Sequence, residues 1–225
     1  MTQRETPLQP IERRSLRDLV QRSLMDAILS GELAAGQRIN ETEIAQRLGL
    51  SQTPVREALG GLEERGFLVS KPRRGFFVRP LSGREGAEIY ALLGDLEAMA
   101  LDQSGPPGRQ ASLELTRINH ELASATDPLR AIELDSAFHR TLHARCPNRL
   151  LLDLLERLRR MAFRYEVAYL RGAGRAATAS RQHEEILLAL AENDLPSACR
   201  ALRGNWHAGI EPLVAWLGDT PEEKA

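Results

Sequence analysis

The sequence predicts a mostly α-helical protein in which a helix-turn-helix and a small β-hairpin precede an all-α bundle of six or seven helices. Three sequence patterns support this prediction. Two short amphipathic helices meet at a tight turn between residues 40 and 62, β-favouring runs flank Lys71–Gly75, and helical periodicity alone follows Leu81. The length of 225 residues, with 42% hydrophobic and 27% charged residues, suits two globular domains.

Two helices open the N-terminal part of the chain. The first is predicted to begin at the cap Ser15 and to keep apolar residues at helical spacing as far as Gly31. The second is predicted to begin after the N-cap Asn40, with Glu43 three residues on to close a capping box. Gly49 then ends it in the C′ position, which favours a left-handed backbone.

A third helix follows the turn, with Thr53 predicted as its cap and Pro54 at its first position, where a missing N–H costs nothing. Its N-terminal end would stay exposed, and in a DNA-reading helix that end meets base edges and phosphates. The residues predicted there are Ser51, Gln52, Thr53 and Arg56. Arg56 suits guanine, Gln52 suits adenine and Thr53 suits a phosphate.

A hairpin with a basic tip is predicted from the β-favouring runs Phe67–Ser70 and Phe76–Arg79. Gly75 accepts the positive φ that such a turn needs. The cations of the tip are Lys71, Arg73 and Arg74. Three cations suit a phosphate or minor-groove contact. The two helices alone would fit an ordinary core fragment, but helices and basic hairpin together form a winged helix-turn-helix and predict DNA binding.

Residues Arg13 to Arg79 resemble the winged helix-turn-helix of GntR-type bacterial transcription regulators. The matching segments are Gly31-Glu-Leu, Gly36-Gln-Arg-Ile, residues 43–51, 53–59 and 62–67, and the wing residue Gly75. The predicted DNA-contacting set therefore also includes Arg38 and Thr42. Family members often carry Arg where this chain has Thr42 and Gln52, which leaves the operator sequence open. Gly60 and Gly61 lie late in the third helix, where each costs roughly 1 kcal/mol relative to Ala.

Charge is divided unevenly along the chain, whose net charge is −1. Residues 11–80 hold 12 Lys and Arg against 9 Asp and Glu, whereas residues 81–225 hold 17 against 21. The cationic excess therefore coincides with the predicted DNA-binding part. Because an excess of this size is modest, we expect a homodimer, which doubles the phosphate contacts.

Location is predicted from three further features. Arg4, Glu5 and Glu12 interrupt any apolar signal-peptide core, and no run approaches the ~18 apolar residues of a membrane span. The two cysteines, Cys146 and Cys199, form no close-spaced motif, which indicates reduced, buried thiols. We therefore expect a cytoplasmic protein with no membrane partner.

Domain boundaries follow from Pro80, which stops the wing strand, and from the capping box of Ser82 and Glu85. We expect a flexible segment over residues 1–11, a DNA-binding domain over 12–80, a helical effector-binding and dimerisation domain over 81–219, and a flexible tail over 220–225. The helices predicted for the bundle are 82–103, 109–125, 128–145, 149–170, 176–192 and 196–217.

Asp135 and His139 lie four residues apart on one predicted helix face, where a carboxylate beside an imidazole can hold a divalent cation. His183 on a later helix could add a third ligand. An isolated pair of this spacing is also common as a solvated ion pair. However, the segments around Asp135, His139 and His183 resemble the FCD effector domain of FadR-like GntR regulators. The resemblance implies a metal of the Zn, Ni or Mn type that holds an organic-acid effector.

The fourth ligand implied by the resemblance falls on Asn205 rather than on a histidine. The nearest histidine is His207, which about 200° of helix rotation should turn away from the site. We therefore expect Asn205 to be the fourth ligand, with His207 as a substitute if the helix is distorted. Leu93 lies where relatives often have an arginine for an effector carboxylate. His143 and His120 are predicted to be surface residues, although His143 could join the cluster.

A second basic run lies in the bundle, at Arg157, Arg159, Arg160 and Arg164. It is interpreted as a mainly solvated helix face, although one member could supply a cation to the effector pocket.

These observations predict a non-enzymatic, ligand-responsive transcription regulator, a repressor of a metabolic operon that binds a near-palindromic double-stranded operator as a homodimer. An effector would change the relative placement of the two DNA-binding domains. Two alternatives stay open. One is a metal-dependent, hydrolase-like enzyme, with Glu184 or Glu185 as its general base. The other is a DNA-binding dimer with a vestigial effector site.

Overall fold

A computed structural model describes residues 16–30, 32–170 and 176–219, and the chain divides into two compact units between Val78 and Arg79. The described residues confirm a mostly helical fold with one antiparallel hairpin, and no strand follows that hairpin within them. Ser15 and Gly31, the predicted ends of the first helix, lie outside the described residues. The N-terminal unit contains α1 (Leu16–Leu29), α2 (Glu41–Leu48), α3 (Gln52–Glu64), β1 (Leu68–Lys71) and β2 (Gly75–Val78).

Local capping chemistry explains where α2 begins and ends. The Asn40 side chain accepts hydrogen bonds from the backbone N–H groups of Thr42 and Glu43, so the predicted N-cap is confirmed. Gly49 has the left-handed backbone that ends a helix, with φ 65°. The predicted cap of α3 was wrong by two residues. Ser51 is the N-cap, and Thr53 lies inside the first turn, because Gln52 already has helical geometry.

The wing pairs Leu68 with Val78 and Lys71 with Gly75 in antiparallel register. Gly75 has φ 85°, as predicted, and Arg73 also has a positive φ, of 61°. The turn is closed by Arg74 N–H donating to the Lys71 carbonyl, which puts Arg73 in the third position, where a type II turn requires positive φ. An extended segment at residues 37–39, not predicted from the sequence, pairs with β2 through its backbone.

The core of the N-terminal unit packs α1 against α3. Val55, Leu59 and Leu62 of α3 are fully buried. Gln21 of α1 is also buried, and its side-chain amide donates to the Ala58 carbonyl at 3.4 Å. A Cβ on Gly61 would lie 1.8 Å from the Gln21 amide nitrogen, so the absence of a side chain there permits this packing.

The C-terminal unit consists of seven helices within the described residues. They are α4 (Gly83–Ser104), α5 (Arg109–Ala123), α6 (Pro128–Leu142), α7 (Arg149–Leu170), α8 (Ala176–Ala191), α9 (Leu195–Ala208) and α10 (Ile210–Asp219). Ser82, Asp127 and Asp194 cap α4, α6 and α9. The side chain of each accepts a hydrogen bond from the backbone N–H three residues later in the chain. Both ends of five of the six helices predicted for the bundle lie within three residues of the observed ends.

The predicted helix at 196–217 is instead two helices that meet at Gly209. Pro212 explains the break, because it has no N–H to donate to the Ala208 carbonyl and its ring crowds that carbonyl. Gly209 also packs closely on α4, where an added Cβ would lie 3.0 Å from the Tyr90 ring.

Two apolar clusters form the core of the bundle. One contains Phe138 and residues of α4, α5, α6, α8 and α9. The other contains Tyr165 and residues of α4, α7, α9 and α10. Cys146 is buried and Cys199 is half-buried, and neither forms a disulfide. None of the helices in the described part of the chain combines the length and apolarity that a membrane span requires.

Candidate nucleic-acid interface and candidate metal centre

The N-terminal unit has a polar groove of about 360 Å³ between α2, α3 and β2, which we call the recognition groove. It brings together five of the ten residues predicted to contact DNA. They are Arg38, Thr42, Gln52, Arg56 and Gly75. Ile39, Asn40 and Glu41 complete its lining.

Two contacts hold the side chains of the recognition groove in place. The Arg56 Nε donates to Glu41 at 2.9 Å, and the Arg56 side chain remains 68% exposed. The Gln52 amide donates to the Thr42 hydroxyl at 3.1 Å. A guanidinium fixed by one carboxylate but otherwise exposed keeps donors free for a base edge or a phosphate. Glu41 was not predicted from the sequence.

The remaining predicted DNA contacts are exposed but do not line the groove. Ser51 and Thr53 are exposed at the N-terminal end of α3. Lys71, Arg73 and Arg74 are exposed at the tip of the wing. Lys71 lies 4.5 Å and Arg74 lies 5.7 Å from the centre of the Phe77 ring, a cation–π geometry that steadies both cations.

In the C-terminal unit, Asp135, His139 and His183 form what we call the metal triad, with one ligand atom of each within 4.8 Å of the others. Asp135 lies 3.7 Å from His139 Nε2 and 3.4 Å from His183 Nε2. Two ligands about 2.1 Å from one ion would be roughly 3.0–3.4 Å apart, so these separations are close to those of a metal site.

Glu97 of α4 fixes the ring of His139. It is fully buried and accepts from His139 Nδ1 at 2.6 Å and from Trp206 Nε1 at 2.9 Å, and it pairs with Arg159. Burial alone would favour the neutral acid, but the charge of Arg159 and the contact with His139 lower the pKa of Glu97 well below its usual value. An ionised Glu97 can only accept, so Nδ1 carries the proton and Nε2 faces Asp135 as a free ligand.

Asn119 of α5 fixes His183 in the same way. The Asn119 oxygen is 3.1 Å from His183 Nδ1, and its amide group donates to the Ser180 carbonyl, so Nδ1 carries the proton. Phe138 stacks on the His183 ring, with centres 3.8 Å apart. The His183 Nε2 atom is buried and makes no hydrogen bond within the described residues.

This orphaned nitrogen is the strongest sign that the triad fits a metal, because buried polar atoms are normally satisfied. Burial and the neighbouring His139 lower the pKa of His183 well below its usual value, so the ring is neutral, the form that binds metals. Burial raises the pKa of Asp135, and the neighbouring charges of His139 and Arg159 only partly oppose this shift. A divalent cation would satisfy all three side chains.

The structure separates the two candidates for the fourth ligand. Asn205 is half-buried, lines the cavity beside the triad and donates its amide group to Gln182 at 3.0 Å. That bond leaves the Asn205 carbonyl oxygen available. His207 is exposed, and its ring lies against Gly94 of α4. Asn205 therefore stays the predicted fourth ligand.

A cavity of about 390 Å³, here called the effector cavity, adjoins the metal triad. This volume is at the small end of the ~300–1,000 Å³ typical of ligand pockets. Its polar lining consists of Asp135, His139, Glu166, Thr178, Gln182 and Asn205. Its apolar and aromatic lining includes Tyr90, Leu122, Ile132, Ala179, Trp206 and Pro212. Burial and the neighbouring Asp135 raise the pKa of Glu166 to about 8.

Several predictions about neighbouring side chains were wrong. Arg157 and Arg160 are exposed, but Arg159 and Arg164 are buried. Buried cations need partners, and Arg159 pairs with Glu97 while Arg164 pairs with Glu85.

His143 is also buried rather than on the surface, and it accepts from Arg159 at 3.1 Å. Burial lowers the pKa of His143 to about 4. His120 is exposed, as predicted. Leu93 is fully buried.

The general bases suggested for a hydrolase do not reach the cavity. Glu184 and Glu185 are exposed and lie outside its lining. Sequence reasoning missed the two supporting residues, Glu97 and Asn119. Each is a polar residue within the apolar stripe of its helix, where Glu97 lies one turn from Leu93 and Asn119 one turn from Leu122. A polar residue in an apolar stripe is the sequence signal that could have found them.

Two family models match the chain. The model described as bacterial regulatory proteins of the gntR family matches residues 16–78, and that of the FCD domain matches residues 88–207. An uncharacterized HTH-type transcriptional regulator of Bacillus subtilis, YdhC, is 28% identical over 204 residues, which cover 88% of this chain and 91% of that protein. The HTH-type transcriptional repressor RspR of Escherichia coli is 27% identical over 203 residues, covering 87% and 86%.

Solved structures share the fold. McbR/YncC of Escherichia coli superposes with a TM-score of 0.66 at 25% identity, over 91% of this chain and 99% of that one. A GntR family member from Pseudomonas syringae pv. tomato superposes with a TM-score of 0.56 at 26% identity, over 91% and 88%.

Proposed function

The chain belongs to the gntR family of bacterial regulatory proteins and carries an FCD domain, and we propose from this premise that it is a metal-dependent, effector-responsive repressor. The family makes it a DNA-binding transcription regulator. Repression rather than activation is supported by the similarity of the chain to RspR, a transcriptional repressor of Escherichia coli. The regulated genes would form a metabolic operon.

DNA binding is assigned to the recognition groove and the wing. The observation that supports this most is the joint placement of Arg38, Thr42, Gln52 and Arg56 in one exposed groove. Arg56 would contact a guanine, Gln52 an adenine, and Thr53 with the cations of the wing would contact phosphates. Two copies of the chain would bind the half-sites of a near-palindromic operator, about one turn of duplex apart.

Metal binding is assigned to the metal triad with Asn205 as the fourth ligand. The orphaned Nε2 of His183 and the fixed protons of both imidazoles support this assignment. A bound divalent ion of the Zn, Ni or Mn type would supply a Lewis-acidic site for an oxygen of the effector. An effector that fits the cavity would shift the affinity for DNA by about 5- to 150-fold, the usual range of allosteric coupling.

Footprinting tests this function. The full chain, loaded with zinc, is added to the DNA upstream of its own gene. We expect protection of two half-sites related by an approximate dyad, at protein concentrations that leave unrelated DNA of equal length unprotected. Equal protection of unrelated DNA at fixed salt would contradict the proposal.

A further inference from the structure

Glu166 of α7 has no role in the metal triad, yet it lines the same cavity. It makes no hydrogen bond or ion pair with any residue in the described part of the chain. Asp135, the other carboxylate of the cavity, is directed at His139 and His183. Glu166 is therefore a carboxylate that faces the cavity with no partner among the described residues.

The charges around the cavity favour a cation in it. Within the described residues, neither lysine nor arginine lines the cavity, whereas two carboxylates do. Arg159 is buried and already pairs with Glu97. A ligand that carries only negative charge would find no protein cation among these residues.

Two aromatic rings strengthen the same preference. Tyr90 and Trp206 both line the cavity and pack edge to face, with ring centres 5.3 Å apart. Aromatic faces attract ammonium groups through their quadrupoles, most strongly where water is excluded. Leu122, Ile132 and Pro212 form an apolar part of the wall, which suits a short hydrocarbon body.

We propose that the effector carries a protonated amine, which pairs with Glu166 inside the cavity. The inference rests on the proposed effector function and narrows it to amine-bearing organic compounds. A carboxylate on the same compound would be held by the metal, while its ammonium group would be held by Glu166. Glu166 lines the cavity without an ion pair to any described residue, and an ammonium group would supply that pair.

Matched pairs of compounds test the charge requirement. The probes are small primary amines and amino acids, each paired with the analogue that lacks the amino group, for example 5-aminopentanoate with pentanoate. Thermal unfolding of the zinc-loaded full chain is measured with each probe at millimolar concentration, because a ligand that binds the folded state raises the unfolding temperature. We expect stabilisation by amine-bearing members and none by their partners.

Glu166→Gln tests the residue, since glutamine keeps the size and hydrogen-bonding capacity but removes the charge. For the best amine, we expect Kd to rise about 10- to 100-fold, as for loss of a charged hydrogen bond. Glu185→Gln, on an exposed face of α8, is the matched control and should keep the wild-type Kd. Each variant's unfolding temperature without probe shows that it folds.

The outcomes separate this inference from the proposed function. Stabilisation by the desamino acids, a failure of every amine to stabilise, or equal amine affinity in wild type and Glu166→Gln would overturn the assignment. In these cases specific DNA binding and zinc binding would remain intact. A chain that bound neither zinc nor its upstream DNA would instead overturn the proposed function itself.

Discussion

The recognition groove and the metal triad hold their functional groups in opposite ways. Arg56 is 68% exposed and pairs with one half-buried carboxylate, whereas His139 and His183 are buried and fixed by Glu97 and Asn119. The groove comes from residues close together in the sequence, between 38 and 75. The triad depends on α6 and α8, with its support from α4 and α5.

The difference has a physical consequence. An exposed ion pair is weak and screened by salt, so Arg56 can exchange Glu41 for DNA at little cost. A buried imidazole held by a hydrogen bond cannot turn without loss of that bond, so the triad is preorganised for one kind of ligand. Substitutions in the groove should therefore leave the free energy of unfolding nearly unchanged, whereas substitutions in the triad should lower it.

Removal of His183 should have the largest effect. In His183→Ala, the triad loses a fixed ligand, and we expect zinc affinity to fall by more than about 100-fold, since loss of a mere supporting partner costs 10- to 100-fold. Competition with a chromophoric chelator measures the affinity. His120→Ala, at an exposed position of α5, should bind zinc as the wild type does. Wild-type affinity in His183→Ala would refute the site.

Burial of His143 predicts a loss of stability in acid. Its pKa is lowered to about 4 in the folded state, against about 6.5 when unfolded, so between these values the unfolded chain binds a proton that the folded chain does not. The free energy of unfolding of the metal-free protein should therefore fall as pH drops from 6.5 to 4, by roughly 3 kcal/mol from this residue.

Denaturant titrations of His143→Gln at several pH values test this loss of stability in acid, because glutamine keeps an acceptor for Arg159 but does not titrate. The free energy of unfolding should fall less between pH 6.5 and 4 in His143→Gln, and as much as in the wild type in the exposed control His120→Gln. Parallel pH profiles in all three proteins would show that His143 is not buried as a neutral ring.

Arg56→Ala should weaken operator binding by about 1–3 kcal/mol and leave the unfolding temperature near that of the wild type. Arg47→Ala is a matched control, because Arg47 pairs with Glu32 on the same unit but lies outside the groove. Fluorescence anisotropy at one fixed salt concentration compares the three proteins. An unchanged Arg56→Ala isotherm would remove Arg56 from the DNA contacts.

The two adjacent glycines of α3 predict the smallest effect. Gly60 has open space around it, so Gly60→Ala should stabilise the protein by up to about 1 kcal/mol. In Gly61→Ala the new methyl group must displace the buried amide of Gln21, which offsets that gain. Thermal unfolding should rank Gly60→Ala above Gly61→Ala, and the reverse order would contradict the packing of α1 on α3.

Features set by neighbours in the sequence could be predicted, and those set by packing could not. The Asn40 cap and the positive φ of Gly75 follow from side-chain chemistry within a few residues. The break at Gly209 also has a local cause, Pro212, which the apolar periodicity concealed. By contrast, helical spacing alone could not show that Arg159 turns inward, because that depends on Glu97, 62 residues away.

The candidate site shows the same limit. Asp135 and His139 share a helix face by spacing alone, His183 was a candidate third ligand, and the family resemblance added the fourth position at Asn205. Glu166 was missed because nothing near it in the sequence distinguishes it from a solvated glutamate of an amphipathic helix. Its position is revealed by the cavity that α7 lines together with α4, α5, α6, α8, α9 and α10.

The most direct test of the account is the affinity of the full chain for its upstream DNA with zinc bound and with zinc removed by a chelator. Fluorescence anisotropy at fixed salt measures both isotherms on the same protein preparation. The account predicts sequence-specific binding whose Kd differs by about 5- to 150-fold between the two states, and no such difference in His183→Ala. Superimposable isotherms from wild-type samples with confirmed different zinc contents would contradict it.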